Sequence, residues 1–212
     1  ALEAAITAHP TRRSLHLSLI DLQLGYLKQP TLADSSLRRF MRLCGSTPEN
    51  RRDAAGIYYR RKMMPDAILL AKAAATEVDT MITAHVIVAK ALSRSGRAQE
   101  GLEYVEGPLS RYPKDISLWC AKASLLIGAG RGDEAVQCAD RAVELGPDHY
   151  DAHRVRMMAL YNAKRYDDAL AAALECRKLT KDPREAQFLE SMKARIRNLA
   201  QGKNDVPSGA AE

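Results

Sequence analysis

Over most of the chain, apolar residues recur at helical rather than strand spacing. In GAGRGDEAVQCADRAVELGPD, residues 128–148, Ala135, Ala139 and Ala142 follow one another at steps of three or four and a Gly-Pro pair ends the run, as in a helix with one apolar face. The same feature returns every 34 residues. Ala33, Ala67, Gly101, Ala135 and Ala169 form one small-residue column, and Asp21, Ala55, Ala89, Ala123 and Met157 lie twelve residues before it. Leu24, Tyr58, Leu92, Leu126 and Leu160 follow that second column one turn on, while Phe40, Ala74, Pro108, Ala142 and Cys176 lie seven residues past the first. A period of this length marks an array of supersecondary units.

The columns predict an all-α chain of helix-turn-helix units. Small residues facing each other let two antiparallel helices approach closely, and the large residue one turn away fills the space beside them. Neither helix can bury its apolar stripe alone, so neighbouring units must complete the core. SGR at 95–97 and AGR at 129–131 place glycine where a left-handed helix end is needed. In GSTPEN, Ser46 or Thr47 can cap the next helix, with Pro48 in its first turn and Glu49 favoured by the dipole.

These columns resemble the tetratricopeptide repeat. The unit 116–149 carries Trp119, Ala123, Leu126, Gly130, Ala135, Ala142 and Pro147 where that family places them. The resemblance implies an α-α superhelix, or solenoid, of about five tandem 34-residue repeats at 14–47, 48–81, 82–115, 116–149 and 150–183, roughly 14–181 in all. It further implies right-handed stacking with first helices inside and second helices outside. Residues 1–13 read as the end of a preceding repeat helix cut from a longer protein. The first repeat departs from the pattern, with Asp21 at a small-residue place and Pro30 in its inter-helix turn. Gly101, Gly107 and Pro108 predict a kink or early end in the second helix of the third repeat. Lys122 and Arg156 stand at apolar places, which implies stems lying along a helix edge.

Beyond 181 the period stops. In REAQFLESMKARIRNLA, Phe188, Met192 and Ile196 share a stripe with Leu189 and Leu199 beside it, predicting a capping helix over 184–201. Residues 202–212 have no apolar face and read as a flexible tail.

Candidate chemistry is sparse. Cys44, Cys120, Cys138 and Cys176 show neither CxxC nor zinc-type spacing and read as packing residues of a reduced protein. His149 and His153, with Asp148 and Asp151, could bring two imidazoles together, but one occupies a turn and the other a packing column. No metal or cofactor is expected. Nucleophile elbows, phosphate-binding glycine loops and paired catalytic carboxylates are not found, so a non-catalytic reading follows. No apolar run reaches the roughly 18 residues of a membrane span, and the first residues lack a signal-peptide pattern. A cytoplasmic setting is expected, or a periplasmic or envelope-associated one if an anchor or signal lies outside the sequence.

Charge is unevenly placed. Residues 38–62 hold eight Lys or Arg against two acids, an excess equal to the whole chain's +6. Arg38, Arg39, Arg42, Arg51, Arg61 and Lys62 form this basic patch together with groove-side Arg52 and Arg60. The modest excess and few stacking aromatics argue against nucleic acid, leaving RNA binding by the patch as an alternative. The favoured function is a protein-interaction scaffold or adaptor, with a repeat region of a larger enzyme or a secretion or assembly component as another reading. A partner segment with some acidic residues would lie against inward groups of the first helices: Arg52, Tyr59, Arg60, Lys90, Arg94, Arg154, Met158, Tyr161 and Asn162, with Glu49, Asp53 and Asp151 as the acids, over a floor of Val86, Ile87 and Cys120. The clamp by which some tetratricopeptide proteins hold Hsp70 or Hsp90 tails maps to Arg52, Gly56, Ile87, Ser117 and Ala121, or to Val86, Lys90, Ala121, Asp151 and Val155. Neither set can grip a carboxylate in that geometry.

Overall fold

The computed structural model describes residues 1–201, and the proposed tail at 202–212 lies outside them. Among the described residues there are twelve helices and no strand. They run α1 Leu2–Ala8, α2 Arg13–Gly25, α3 Pro30–Cys44, α4 Pro48–Arg60, α5 Met64–Glu77, α6 Ile82–Arg94, α7 Ala98–Arg111, α8 Ile116–Gly128, α9 Gly132–Leu145, α10 Tyr150–Asn162, α11 Tyr166–Leu179 and α12 Pro183–Ala200. The described residues divide into two compact units, the first ending at Pro108 and the second beginning at Leu109. The boundary falls inside α7, which continues through Pro108 to Arg111, so the expected early end of that helix does not occur.

Within the first unit α2 packs on α3 and α4 on α5, and α4 also touches α2 and α6. Within the second, α8 pairs with α9 and α10 with α11, while α10 also contacts α8 and α9. The small-residue logic is visible at the packing level. Ala33, Ala67, Ala135 and Ala169 are fully buried, as are Ala55, Ala89 and Ala123 opposite them. Tyr58, Leu92 and Leu160 fill the adjoining space with no exposure.

Each helix pair turns through one residue with a left-handed backbone: Lys28, Lys62, Gly96, Gly130 and Lys164, with φ between 53° and 73°. In the second pair, Met63 N–H bonds to the Tyr58 carbonyl at 2.9 Å and Lys62 N–H to Tyr59 at 3.1 Å, a Schellman closure. Arg97 to Leu92, Arg131 to Leu126 and Arg165 to Leu160 repeat the longer bond. The glycines at 96 and 130 therefore sit where the sequence placed them, while three lysines adopt the same conformation against their preference.

The first pair is one residue out of step. Its turn closes instead with Gln29 N–H on the Gln23 carbonyl at 2.8 Å, which takes one more residue than the Schellman bond. The second helices keep the 34-residue period from Pro30 to Tyr166, but α2 is displaced one residue upstream. Ile20, not Asp21, is the fully buried residue there, and Gln23 rather than Leu24 takes the following place. Contrary to expectation, Asp21 does not belong to the small-residue column, and its carboxylate faces outward.

A second device secures each first helix. Near its start a buried or half-buried side chain reaches back six residues to a carbonyl of the preceding linker or, for α4, of the last residue of α3. His16 Nε2 lies 2.8 Å from the Pro10 oxygen, His85 Nε2 2.9 Å from Asp79, Trp119 Nε1 2.9 Å from Pro113 and His153 Nε2 2.6 Å from Pro147. Asn50 donates from Nδ2 to both Cys44 (3.0 Å) and Gly45 (2.7 Å). Histidine, asparagine and tryptophan are interchangeable here because each offers a ring or amide N–H at similar reach. Thr47, rather than Ser46, caps α4, accepting from Asn50 N–H at 3.3 Å.

Candidate functional site

The first unit carries a cleft of about 440 Å³ on the face made by three successive first helices. α2 contributes Leu17, Ser18 and Asp21, α4 contributes Arg52, Asp53, Gly56 and Arg60, and α6 contributes Thr83 and Ile87. Arg52, Gly56 and Arg60 stand four residues apart and therefore share one stripe of α4. Asp53 accepts from Arg13 at 2.7 Å and from Arg52 at 2.9 and 2.6 Å. Asp21, turned outward by the displacement of α2, takes Arg61 through two bonds of 3.0 and 2.9 Å and raises the arginine's pKa. Both cleft carboxylates are thus occupied. The side chain of Arg60 makes no hydrogen bond or ion pair among the described residues.

Of the nine groove residues expected from sequence, five lie in the first unit. Arg52 and Arg60 line the cleft. Arg94 instead stacks on Tyr59, its Cζ 4.6 Å from the ring centroid, a cation–π contact tying α4 to α6. Lys90 is half-buried on α6. Val86 and Ile87 are also half-buried, but Cys120, expected as floor, is core, at 4% exposure.

The other four lie on α10 in the second unit. Arg154 bonds Asp151 on its own helix at 3.1 Å, and Asn162 Nδ2 donates to the Met158 carbonyl at 2.8 Å. Tyr161 is flanked by the Tyr166 ring and lies under Arg195 of α12, 5.5 Å from its centroid. It therefore belongs to the seam with the terminal helix. That seam is formed by Leu189, Met192 and Ile196, whereas Phe188, expected on the stripe, is 38% exposed. Tyr150 adds a bond of 2.6 Å to Glu185 Oε2. On the flank of the core, Arg156 reaches Asp140 at 2.5 Å and Lys122 lies over Trp119, so the charged ends leave the apolar places as their stems cover them.

Half of the basic patch is paired with carboxylates. Arg39 binds Glu3 at 2.8 Å, Arg51 binds Glu77, and Arg61 binds Asp21. Arg38 reaches the Ser35 hydroxyl at 3.4 Å, while Arg42 and Lys62 make no such contact among the described residues. As for metal chemistry, the buried His153 spends its Nε2 on Pro147, and among the described residues no group of three or more His, Cys, Asp or Glu is arranged to hold an ion.

A family model described as "tetratricopeptide repeat" matches residues 120–183. The fold is the tetratricopeptide repeat. A thermophilic tetratricopeptide protein of Thermus thermophilus is similar over 87% of this chain and 98% of its own, with 15% identity and a TM-score of 0.68. A tetratricopeptide protein of Parabacteroides merdae is similar over 95% and 78%, with 15% identity and a TM-score of 0.70. YrrB, a tetratricopeptide protein with an unusual peptide-binding site, is similar over 90% and 98%, with 16% identity and a TM-score of 0.51. No curated protein matches the sequence.

In tetratricopeptide terms, the cleft lies on first helices. The helix pattern pointed to its two arginines, Asp53 and Ile87 but not to Leu17, Ser18 or Thr83. Those three sit on α2 and α6 where a 34-residue grid gives no chemical signal, and for α2 the grid itself is one residue out. Among the described residues no helix is long and apolar enough to cross a membrane.

Proposed function

We propose that this protein is a non-catalytic interaction scaffold that holds an extended segment of a partner protein in the cleft on α2, α4 and α6. Tetratricopeptide proteins are in general protein-interaction scaffolds, and YrrB, which shares the fold, has a peptide-binding site. The observation that carries the reading is the cleft itself. It combines aliphatic walls from Leu17 and Ile87 with Arg60, a large hydrogen-bonding cation that has no internal partner among the described residues. Such a mixture suits a peptide that is partly apolar and partly acidic. The pairing of Arg39, Arg51 and Arg61 with carboxylates makes the basic patch a weaker candidate for nucleic acid.

The test is an array of random dodecapeptides probed with the labelled protein and with Ser18→Trp, which plugs the cleft from an exposed position. Sequence-selective binding that Ser18→Trp removes and Arg38→Ala leaves intact supports the reading. Binding unaffected by the plug, or lost with the outer Arg38→Ala substitution, refutes it.

A further inference from the structure

Gly56 is in the interior of α4, where glycine weakens a helix relative to alanine. Nothing in the fold demands it. A Cβ at this position would meet only Arg60 Nη1 at 3.7 Å and Ile87 Cδ1 at 4.0 Å, both ordinary contacts, and its backbone is in no left-handed conformation. The residue's one structural effect is a notch in the cleft wall. Arg52 and Arg60 flank the notch, one turn to each side, about 12 Å apart along the helix axis at 1.5 Å per residue.

The surrounding charge is unbalanced. Arg13, Arg52, Arg60 and Arg61 converge on this face; Asp53 pairs with the first two and Asp21 with the last, and Glu49 lies near enough to Arg52 and Arg13 for both to favour its charged form. Arg60 is left over. It is exposed, yet its guanidinium folds back over the glycine instead of extending into solvent.

We infer that the Gly56 notch is a specificity pocket for one acidic side chain, Asp or Glu, of an extended partner segment, with Arg60 as principal donor and Arg52 as second. The inference rests on the cleft reading above and deepens it. The missing Cβ lets the ligand's backbone approach α4, so that its carboxylate lies between two guanidinium forks that can each donate two N–H bonds. Ile87 and Leu17 then face the neighbouring apolar side chain of the ligand. This arrangement differs from the chaperone-tail clamp, because it uses two arginines on one helix and no asparagine.

The experiment takes the strongest dodecapeptide from the array, synthesised with a fluorescent label, and its variants with each acidic residue changed to the matching amide. One acid-to-amide exchange should weaken binding at least tenfold in the wild-type protein and less than threefold in Arg60→Gln. Gly56→Ala should melt higher than wild type and bind at least fivefold more weakly, a combination that a purely structural glycine would not give. Circular dichroism and the melt show that each variant folds. If every acid-to-amide exchange stays within twofold, or Gly56→Ala binds as wild type does, the pocket is wrong. The cleft reading survives that result provided Ser18→Trp still abolishes binding. If Ser18→Trp has no effect, or no peptide binds, both readings fall.

Discussion

Gly132, the first residue of α9, lies against the backbone of Ala163 in the turn between α10 and α11. A Cβ on Gly132 would sit 2.9 Å from both Cα and N of Ala163, closer than real Cβ atoms come and with main chain, not a mobile side chain, in the way. Gly132→Ala is therefore expected to cost about 1–3 kcal/mol through overpacking, although alanine is the better helix former. A melting temperature equal to that of the wild type would contradict it.

The left-handed turn residues give predictions of opposite sign. Gly130 has nothing within 4 Å of where a Cβ would be, so Gly130→Ala should lose only the backbone preference, about 1 kcal/mol. Lys164, at φ 60° in the equivalent turn, should become more stable by about the same amount as glycine. Paired urea titrations of the two variants measure both, and equal signs would refute the argument.

Asn50 donates to two carbonyls and is 1% exposed. Asn50→Ala should cost about 2 kcal/mol, since the carbonyls of two half-buried residues, Cys44 and Gly45, lose their donor. Asn50→Asp should cost more, because its oxygens would face the Cys44 and Gly45 oxygens. Chemical denaturation gives the order directly.

Burial raises the pKa of the Cys176 thiol to about 12, so its thiolate is scarce at pH 8. The half-buried Cys44 is the more accessible cysteine. Iodoacetamide at pH 8 should label Cys44 in the folded protein, and Cys120, Cys138 and Cys176 only once it unfolds. Mass spectrometry of native and urea-treated samples decides the matter.

Tyr58, hydrogen-bonded to Asp34 at 2.9 Å, and Tyr150, bonded to Glu185, have pKa values raised first by burial and then by those carboxylates. A raised folded-state pKa contributes stability that is complete below the ordinary tyrosine value near 10 and is lost as pH climbs above it. The melting temperature should fall between about pH 9.5 and 11, and the double variant Tyr58→Phe, Tyr150→Phe should flatten that fall. An equally steep loss in the double variant would assign it to other groups.

How far the sequence discloses this molecule depends on how local the relevant contacts are. The buried alanine columns and the glycines at 96 and 130 were legible because their causes lie within one helix pair. The displacement of α2 was not, since the extra residue hides in the Tyr26–Gln29 connection while the second helices stay in phase. Arg52 and Arg60 could be named from helix geometry. The partners of Arg39, Arg51 and Arg61 could not, because Glu3, Glu77 and Asp21 lie 36, 26 and 40 residues away on other helices. Phe188 and Leu189 are neighbours on one helix, and only the packed surface of α11 determines which of them turns inward. Gly56 was visible merely as a failed clamp position until a three-helix face appeared around it.

The six-residue tie from each first helix to the chain just before it is contained within seven consecutive residues. A segment cut between equivalent turns, such as Gly130 to Lys164, therefore carries with it both the donor and the acceptor of its own joint. Duplication or deletion of one such segment would leave every remaining joint chemically complete, so the chain can change length by whole modules without any new complementary pair having to arise by mutation.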